Sequence, residues 1–531
     1  MKKQAINNLP EPDFIEILQP FSTSKLWQLQ RAYFKNAGID AWRSGQVPHY
    51  ITSNPVMGKT YAEVVFAFLK DLDQRSNHSE QVYLLELGAG HGRLCYHFLK
   101  HFEKLVYMSP LKWISLCYVL SDLAQSNLEF WKTHPRLQPY LYKNWVDFAI
   151  VDATQVTEIA LQYSGDIITP GSLAQPIIVT ANYFFDSIPQ ELFYIDAQHQ
   201  LHECLVSLFT SPGAEGNTPV ESIENIQVLY TNQVSEKPPF AEPYSANLLD
   251  QYQQLLADTY LLFPHIGITC LNKLKQLSQK GLMLLTADKG YHRESDLHGV
   301  GAPNLVKHGS FSLSVNFNAL KRYCENEGGK ALFPRHMDFG LSLGCMLFIN
   351  DAANYPETRL AYERFVNDFG PDDYFVLKKL LEHGAAALTF NQLVCAVRLS
   401  GYDAHLFGQL LPRLHEILET ITDDERWGMF QLIHRVWDTY YTLGEANDIA
   451  FELGRLLLRL CFYKEAIIYF DISGRIYGEK NDVLYHIAIC YCELNRFDEA
   501  GKLADKILIN DPKHLLALDL LAKLGVEKLY S

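Results

Sequence analysis

At 531 residues the chain is long enough for about three or four domains, each with its own core. With 48% apolar and 20% charged residues it has the make-up of an ordinary globular protein, and a net charge of −15 excludes broad binding to nucleic acid or anionic membrane. No apolar run of about 18 residues is present to span a bilayer, the opening MKKQAINNLPEPDFIE lacks the apolar core of a secretory signal, and the ten cysteines, of which only Cys490 and Cys492 lie close together, show no zinc spacing, so free thiols in a reducing cytoplasm and no resident metal are expected.

Residues 1–77 read as a mostly helical segment broken by Pro and Gly. Within it Val64, Val65, Phe68 and Leu72 form an apolar helical stripe, and Thr52, Ser53 and Asn54 before a Pro read as loop or cap residues. The stretch that organises the chain follows, VYLLELGAGHGRL at 82–94. Val82, Tyr83, Leu84 and Leu85 make the short apolar run of a buried parallel strand, Glu86 ends it, and Gly88, Gly90 and Gly92 come at every second position. Leu94, Phe98, Phe102 and Leu105 then recur at helical spacing. A glycine turn between strand and helix lets a ligand approach the main chain at the carboxyl edge of a sheet. A dinucleotide fingerprint would need glycine at position 93, which is Arg93, and a phosphate loop would need a Gly-Lys-Ser/Thr ending. The pattern E-x-G-x-G-x-G resembles instead the first motif of class I S-adenosylmethionine-dependent methyltransferases, in which an acid before the glycines suits a ligand carrying an ammonium and a sulfonium.

From residue 81 strands and helices alternate, as in a doubly wound sheet. A second strand at 116–120 ends at Ser121 and Asp122, an acid placed to accept from ribose hydroxyls; its interval of 30 residues from Gly92 exceeds the usual ~20, with the excess in the loop around 108–110. A third strand at 147–151 ends in Asp152, placed to meet an adenine amino group. A fourth at 176–181 runs into NYFFDSIPQELF, where Asn182 and Asp186 flank an aromatic triplet. Residues 197–245 are rich in Ser, Pro, Gly and Asn and read as a hairpin or β insertion with a loose loop around 210–219. Helical patterns then run to residue 280, before a fifth strand, GLMLLTA, that exits into Asp288, Lys289, Gly290 and Tyr291. A SFSLSVNF stretch, a helix to residue 326 and a strand around 344–349 close the core.

With these pieces in order, the chain from about 50 to 350 resembles the MidA-like methyltransferase family, which includes mitochondrial complex I assembly factors that methylate a protein arginine. The family's F-I-T-x-x-P signature is echoed by Tyr50, Ile51, Thr52, Ser53, Asn54 and Pro55. Its glycine motif matches Glu86, Leu87, Gly88, Ala89, Gly90, His91 and Gly92, and its strand-two acid falls on Asp122. Its N-E-x-x-D-x-x-P motif falls on Asn182, Asp186 and Pro189, its D-Y-G-Y on Asp288, Gly290 and Tyr291, and a later V-D-F on Val315, Asn316 and Phe317. The resemblance implies a Rossmann-like seven-stranded sheet. It implies S-adenosyl-L-methionine held by Thr52, Glu86, Gly88, Ala89, Gly90, Gly92, Asp122 and Asp152, with Asn182, Asp186 and Asp288 at the methyl acceptor. Tyr183 stands where the family has Glu, Lys289 where it has the first Tyr, and Asn316 where it has Asp. Two carboxylates that would grip a guanidinium are thereby lost, which weakens arginine as the acceptor. A protein side chain remains the expected acceptor, against a small molecule or a cofactor-binding scaffold without transfer.

Beyond residue 350 helices take over. Residues 351–445 read as a helical connector and 446–531 as a domain resembling tetratricopeptide repeats. Leu453, Gly454, Leu457, Ala466 and Phe470 in one unit are matched by Ile487, Ala488, Tyr491, Ala500 and Pro512 in the next, and 34 residues separate Gly454 from Ala488. A closing helix is expected at 515–524. Arrays of this kind present a groove to a peptide or protein partner, the expected role here. The oligomeric state is not legible.

Overall fold

The computed structural model describes residues 13–73, 80–109, 115–210, 223–235, 240–336 and 340–530, the side chains of Asp13 and of 526–530 excepted. It divides into two units, Met1–Asp373 and Tyr374–Ser531. Among the described residues no helix is long and apolar enough to cross a membrane, and no cysteine is joined in a disulfide.

The first unit is built on a seven-stranded sheet. Five apolar runs become parallel strands: β2 (Val82–Glu86), β3 (Leu116–Asp122), β4 (Val146–Ile150), β7 (Ile177–Asn182) and β12 (Leu282–Asp288). They lie in the order β4-β3-β2-β7-β12. β16 (Ser342–Phe348) runs antiparallel beside β12, and β15 (Lys330–Leu332) forms the edge. Every residue of β3, β12 and β16 is buried, as expected for strands covered on both faces. The order reverses at β2, where β3 lies on one side and β7 on the other, so the glycine turn after β2 opens at the switch point of the sheet.

Helix α1 (Lys25–Ala37) belongs to the amino-terminal segment, as does α2 (Pro55–Asp73), which packs on α3 (Arg93–Met108). Gly58 of α2 lies so close to α3 that a Cβ there would sit 2.5 Å from the Cβ of His97. The segment also carries a strand that its helical pattern does not announce, β1 (Asp13–Pro20). It joins a second, antiparallel sheet with β8 (Glu191–Ile195), β9 (Leu201–Thr210), β10 (Ile226–Val234) and β11 (Thr259–Phe263). The insertion is therefore wider than the 197–245 hairpin reading, and β11 lies inside a stretch that reads as helical. The loose loop around 210–219 lies, but for Thr210, outside the described residues, as do the first twelve residues and Pro110. Leu26 and Trp27 of α1 share an apolar cluster with Leu192, Val206 and Leu208 of this sheet and with Phe311. Two short antiparallel ribbons are present as well: β5 (Ile159–Ala160) with β6 (Ile167–Ile168), and β13 (Val306–His308) with β14 (Ser310–Ser312), the latter where SFSLSVNF begins.

The second unit is helical. Two hairpins, α4 (Ile449–Arg459) with α5 (Tyr463–Tyr477) and α6 (Asn481–Glu493) with α7 (Phe497–Asn510), precede α8 (Leu515–Tyr530). The expected small positions do the packing. A Cβ on Gly454 would lie 2.7 Å from the ring of Phe470, and Ala466, Ala488 and Ala500 are fully buried.

Candidate functional site

The turn after β2 takes its shape from three glycines with positive φ, Gly88 at 62°, Gly90 at 54° and Gly92 at 76°, values open to glycine at little cost. Its backbone is pinned to the neighbouring strands. Leu87 N–H donates to the Thr180 carbonyl at 2.9 Å, Ala89 N–H to the Ser121 carbonyl at 2.9 Å, and Gly90 N–H to Asp122 Oδ2 at 3.0 Å. Gly92 caps α3 against Trp131 and Leu120, while His91 Nδ1 accepts from Arg93 N–H at 3.1 Å.

Two buried acids border this turn. Burial pushes the Glu86 carboxyl up to about 8, although Tyr118 Oη donates to it at 2.9 Å. Burial also raises Asp122, against the hydrogen bonds it accepts from Ala124 and Gly90 N–H. Both face a cavity of about 600 Å³, within the range of small-molecule sites. All the expected residues except Gly92 and Asp288 line it.

The amino-terminal segment forms the opposite wall. Trp42 lies over the glycine turn, its ring 2.7 Å from where a Gly90 Cβ would be, and both Trp42 and His49 pack on the His91 ring. Arg31 of α1 grips both oxygens of Asp152, whose Oδ1 also accepts from Thr154 N–H at 3.0 Å. Burial pushes the Asp152 carboxyl up, but the Arg31 guanidinium and the hydroxyl and N–H of Thr154 together outweigh it, and the group sits below its ordinary value. The acid expected to meet an adenine amino group is thus already paired within the protein. Thr52 contributes its carbonyl, which accepts from Asn182 Nδ2 at 3.3 Å, while its hydroxyl turns to the His49 carbonyl.

The far end of the cavity holds the chain exit from β7. Asn182 Oδ1 accepts from the hydroxyl of the fully buried Tyr61 at 2.6 Å. Tyr183 follows with a φ of 48°, a conformation rare for a bulky residue and recurrent at ligand sites. Tyr183 and Phe184 line the cavity, whereas Phe185 of the same triplet is core. Burial raises Asp186 to about 6, against the Ser187 hydroxyl that donates to it at 2.8 Å and the nearby charge of Lys289. Asp288 sits behind it and outside the cavity lining. Its Oδ1 accepts from Lys289 N–H at 2.7 Å and its Oδ2 meets no partner among the described residues. Burial, and then the charge of Asp186, hold Asp288 well above the carboxylate range. Two acids so placed carry about one negative charge between them near neutral pH. Of the three departures from the family pattern Tyr183 and Lys289 line the cavity, whereas Asn316 lies away from it and caps a helix by accepting from Ala319 N–H at 2.9 Å.

The residues fit a cofactor of the expected class: a backbone cradle that a side chain would fill, a buried acid poised to ionise beside a cation, and a second acid at the end of the next strand. A pH effect follows. In the free protein Glu86 is mostly protonated at pH 7; a cationic ligand favours its ionised form, so binding releases a proton. Affinity for S-adenosylhomocysteine is expected to rise between pH 6 and 8, by up to about tenfold per unit, and to level off above about 8. Calorimetry across this range checks it, and Glu86→Gln should flatten the curve.

A family model described as "Putative S-adenosyl-L-methionine-dependent methyltransferase" matches residues 60–332. No curated protein matches the chain. Among solved structures, an uncharacterised protein from Burkholderia thailandensis is 13% identical over 64% of this chain and 90% of that one, with a TM-score of 0.39. A candidate methyl transferase from the same organism, bound to S-adenosyl-homocysteine, has the same identity and coverage and a TM-score of 0.40. YrrB, a tetratricopeptide-repeat protein with an unusual peptide-binding site, is 17% identical over 32% of this chain and 79% of its own, with a TM-score of 0.22.

Proposed function

Since the chain belongs to this family of S-adenosyl-L-methionine-dependent methyltransferases, we propose that it methylates a side chain of a protein, with the acceptor held at Asn182 and Asp186. The observation that carries this reading is the continuity of one cavity from the glycine turn to the exit of β7. The cofactor supplies a methyl group already activated on its sulfonium, so the protein's part is placement and charge. Gly88 and Gly90 would give the amino-acid end access to backbone, Glu86 would offset its ammonium, and Asp122 would accept from the ribose. Trp42 closes the wall and keeps water out.

At the other end Tyr61 and the Thr52 carbonyl lock the Asn182 amide in one orientation, which leaves it a fixed guide for the acceptor. Asp186, raised to about 6, is a stronger base than an ordinary carboxylate and takes the proton that a nitrogen nucleophile sheds as it is methylated. Asp288 is a positioning residue: it keeps the proton of the pair, which leaves the charge on Asp186.

Incubation of a cell lysate with methyl-labelled cofactor and this protein, followed by mass spectrometry, tests the reading. Label in protein supports it; label only in small molecules replaces the acceptor class; cofactor binding with no label anywhere makes the chain a scaffold. Asp186→Asn is expected to lower kcat by about 10²–10⁴-fold with cofactor affinity near wild type. Asp288→Asn should lower it less and leave the acidic limb of the pH profile near that of wild type, because a neutral amide replaces a carboxyl that already keeps its proton. Equal transfer by wild type and both variants removes these residues from the mechanism.

A further inference from the structure

Two Lys or Arg side chains stand on the wall of the cavity, Arg31 and Lys289. Arg31 is gripped by Asp152. The Lys289 side chain is exposed, and its ammonium makes no hydrogen bond or ion pair with any described residue. Its backbone, by contrast, is fixed. The N–H donates to Asp288 Oδ1 at 2.7 Å, and the carbonyl accepts from Val315 N–H at 2.8 Å. The parallel pairing of β7 with β12 sets its place. Tyr183 N–H donates to the Ala287 carbonyl at 3.1 Å, so Lys289 leaves its strand beside the turn that carries Asp186.

The charge of the ammonium is felt on two sides. Burial raises Asp186, and Lys289 draws it part of the way back. Burial also lowers His308 of the ribbon, and the same ammonium adds to that effect, so the imidazole is neutral at pH 7. Lys289 therefore lies between the turn after β7 and the ribbon of β13 and β14, at the acceptor end of the cavity. The acids of the wall leave it unmatched. Glu86 and Asp122 border the glycine turn, Asp152 is paired with Arg31, and Asp186 is the base of the proposed transfer. An unpaired cation beside the base repels a second positive charge brought in by the acceptor and holds a negative one.

We propose that Lys289 selects the acceptor by its flank, binding the carboxylate of an Asp or Glu close in sequence to the residue that is methylated. The assignment rests on the acceptor being a protein side chain. In an extended segment, side chains two residues apart point the same way, about 7 Å from each other. One can then sit at Asp186 while the other meets a lysine on the same wall. A flexible stem with three donors on a compact charge follows a carboxylate through several positions. The sites selected are thus acidic stretches rather than one fixed motif.

Methyl-labelled cofactor and a cell lysate, incubated with wild type or with Lys289→Glu, test the assignment once the labelled sites are mapped by mass spectrometry. Sites labelled by wild type are expected to carry Asp or Glu within two residues. Lys289→Glu should label them at least tenfold less, while its thermal unfolding still moves upward with S-adenosylhomocysteine. Peptides copying a labelled site isolate the contact. Changing the neighbouring acid to Ala should raise KM about fivefold with little change in kcat. Changing it to Lys should raise KM further, and Lys289→Glu should bring that KM back down. Wild-type sites without a neighbouring acid overturn the proposal, as does a KM that ignores the flank. No recovery of the Lys-flanked peptide by Lys289→Glu removes Lys289 as the selecting residue. Label in no protein, with S-adenosylhomocysteine still bound, defeats the protein acceptor itself and this inference with it.

Discussion

Gly90→Val is expected to abolish cofactor binding, with no heat detected in titrations with S-adenosylhomocysteine up to millimolar concentration. Three effects act together. A left-handed backbone at this position costs a side chain about 1–2 kcal/mol, and more for a β-branched one. The new Cβ lies 2.7 Å from the Trp42 ring, so the wall of the cavity must move. Any shift of the turn also breaks the Gly90 N–H to Asp122 hydrogen bond, which sets the acid expected at the ribose. Gly165→Val is the matched control. Gly165 has a φ of 82° and open space where its Cβ would be, so it bears the backbone cost without entering the site and should bind as wild type. Binding by Gly90→Val within tenfold of wild type would mean that the ligand sits elsewhere.

Ala488→Arg should unfold the helical unit while leaving the other unit able to bind cofactor. Ala488 has no exposed surface, and its place between α6 and α7 admits no larger side chain. A guanidinium there is an unpaired buried charge, which costs about 3–5 kcal/mol before any overpacking is counted. That is a large share of the stability of a unit of this size. In calorimetry one transition should vanish, and the remaining one should still move upward with S-adenosylhomocysteine. Gly501→Arg, at a helical position where a Cβ meets nothing within 4 Å, should leave both transitions in place. Loss of the cofactor response in Ala488→Arg would make the helical unit part of the catalytic unit's packing.

Much of the sheet is legible locally, because strands buried on both faces must be apolar throughout. The runs that become β2, β3, β7 and β12 stand out for that reason, and so do the glycine turn, the acid after β3 and the spacing of 34 residues in the repeats. β1 and β11 do not stand out. They belong to a second sheet whose partners come from distant parts of the chain, and Phe14 and Ile17 of β1 remain largely exposed. The site divides in the same way. Glu86, Gly88, Gly90 and Asp122 belong to two neighbouring strands and the turn that leaves the first, and are readable from residue type and order. The wall facing them is not, since Arg31 meets Asp152 and Tyr61 meets Asn182 across 121 residues each, and Trp42 covers Gly90 with no local pattern to announce it. The pairing of Asp186 with Asp288 is likewise a product of register: β7 and β12 run parallel with Asn182 beside Ala287, so the turns that leave them emerge together. Sequence alone determined which backbone forms the glycine turn at the switch point of the sheet, because strand, turn and helix are local. Which side chains close over that turn and which acid keeps a proton was decided by the tertiary structure, because burial and charge depend on neighbours that only folding brings together.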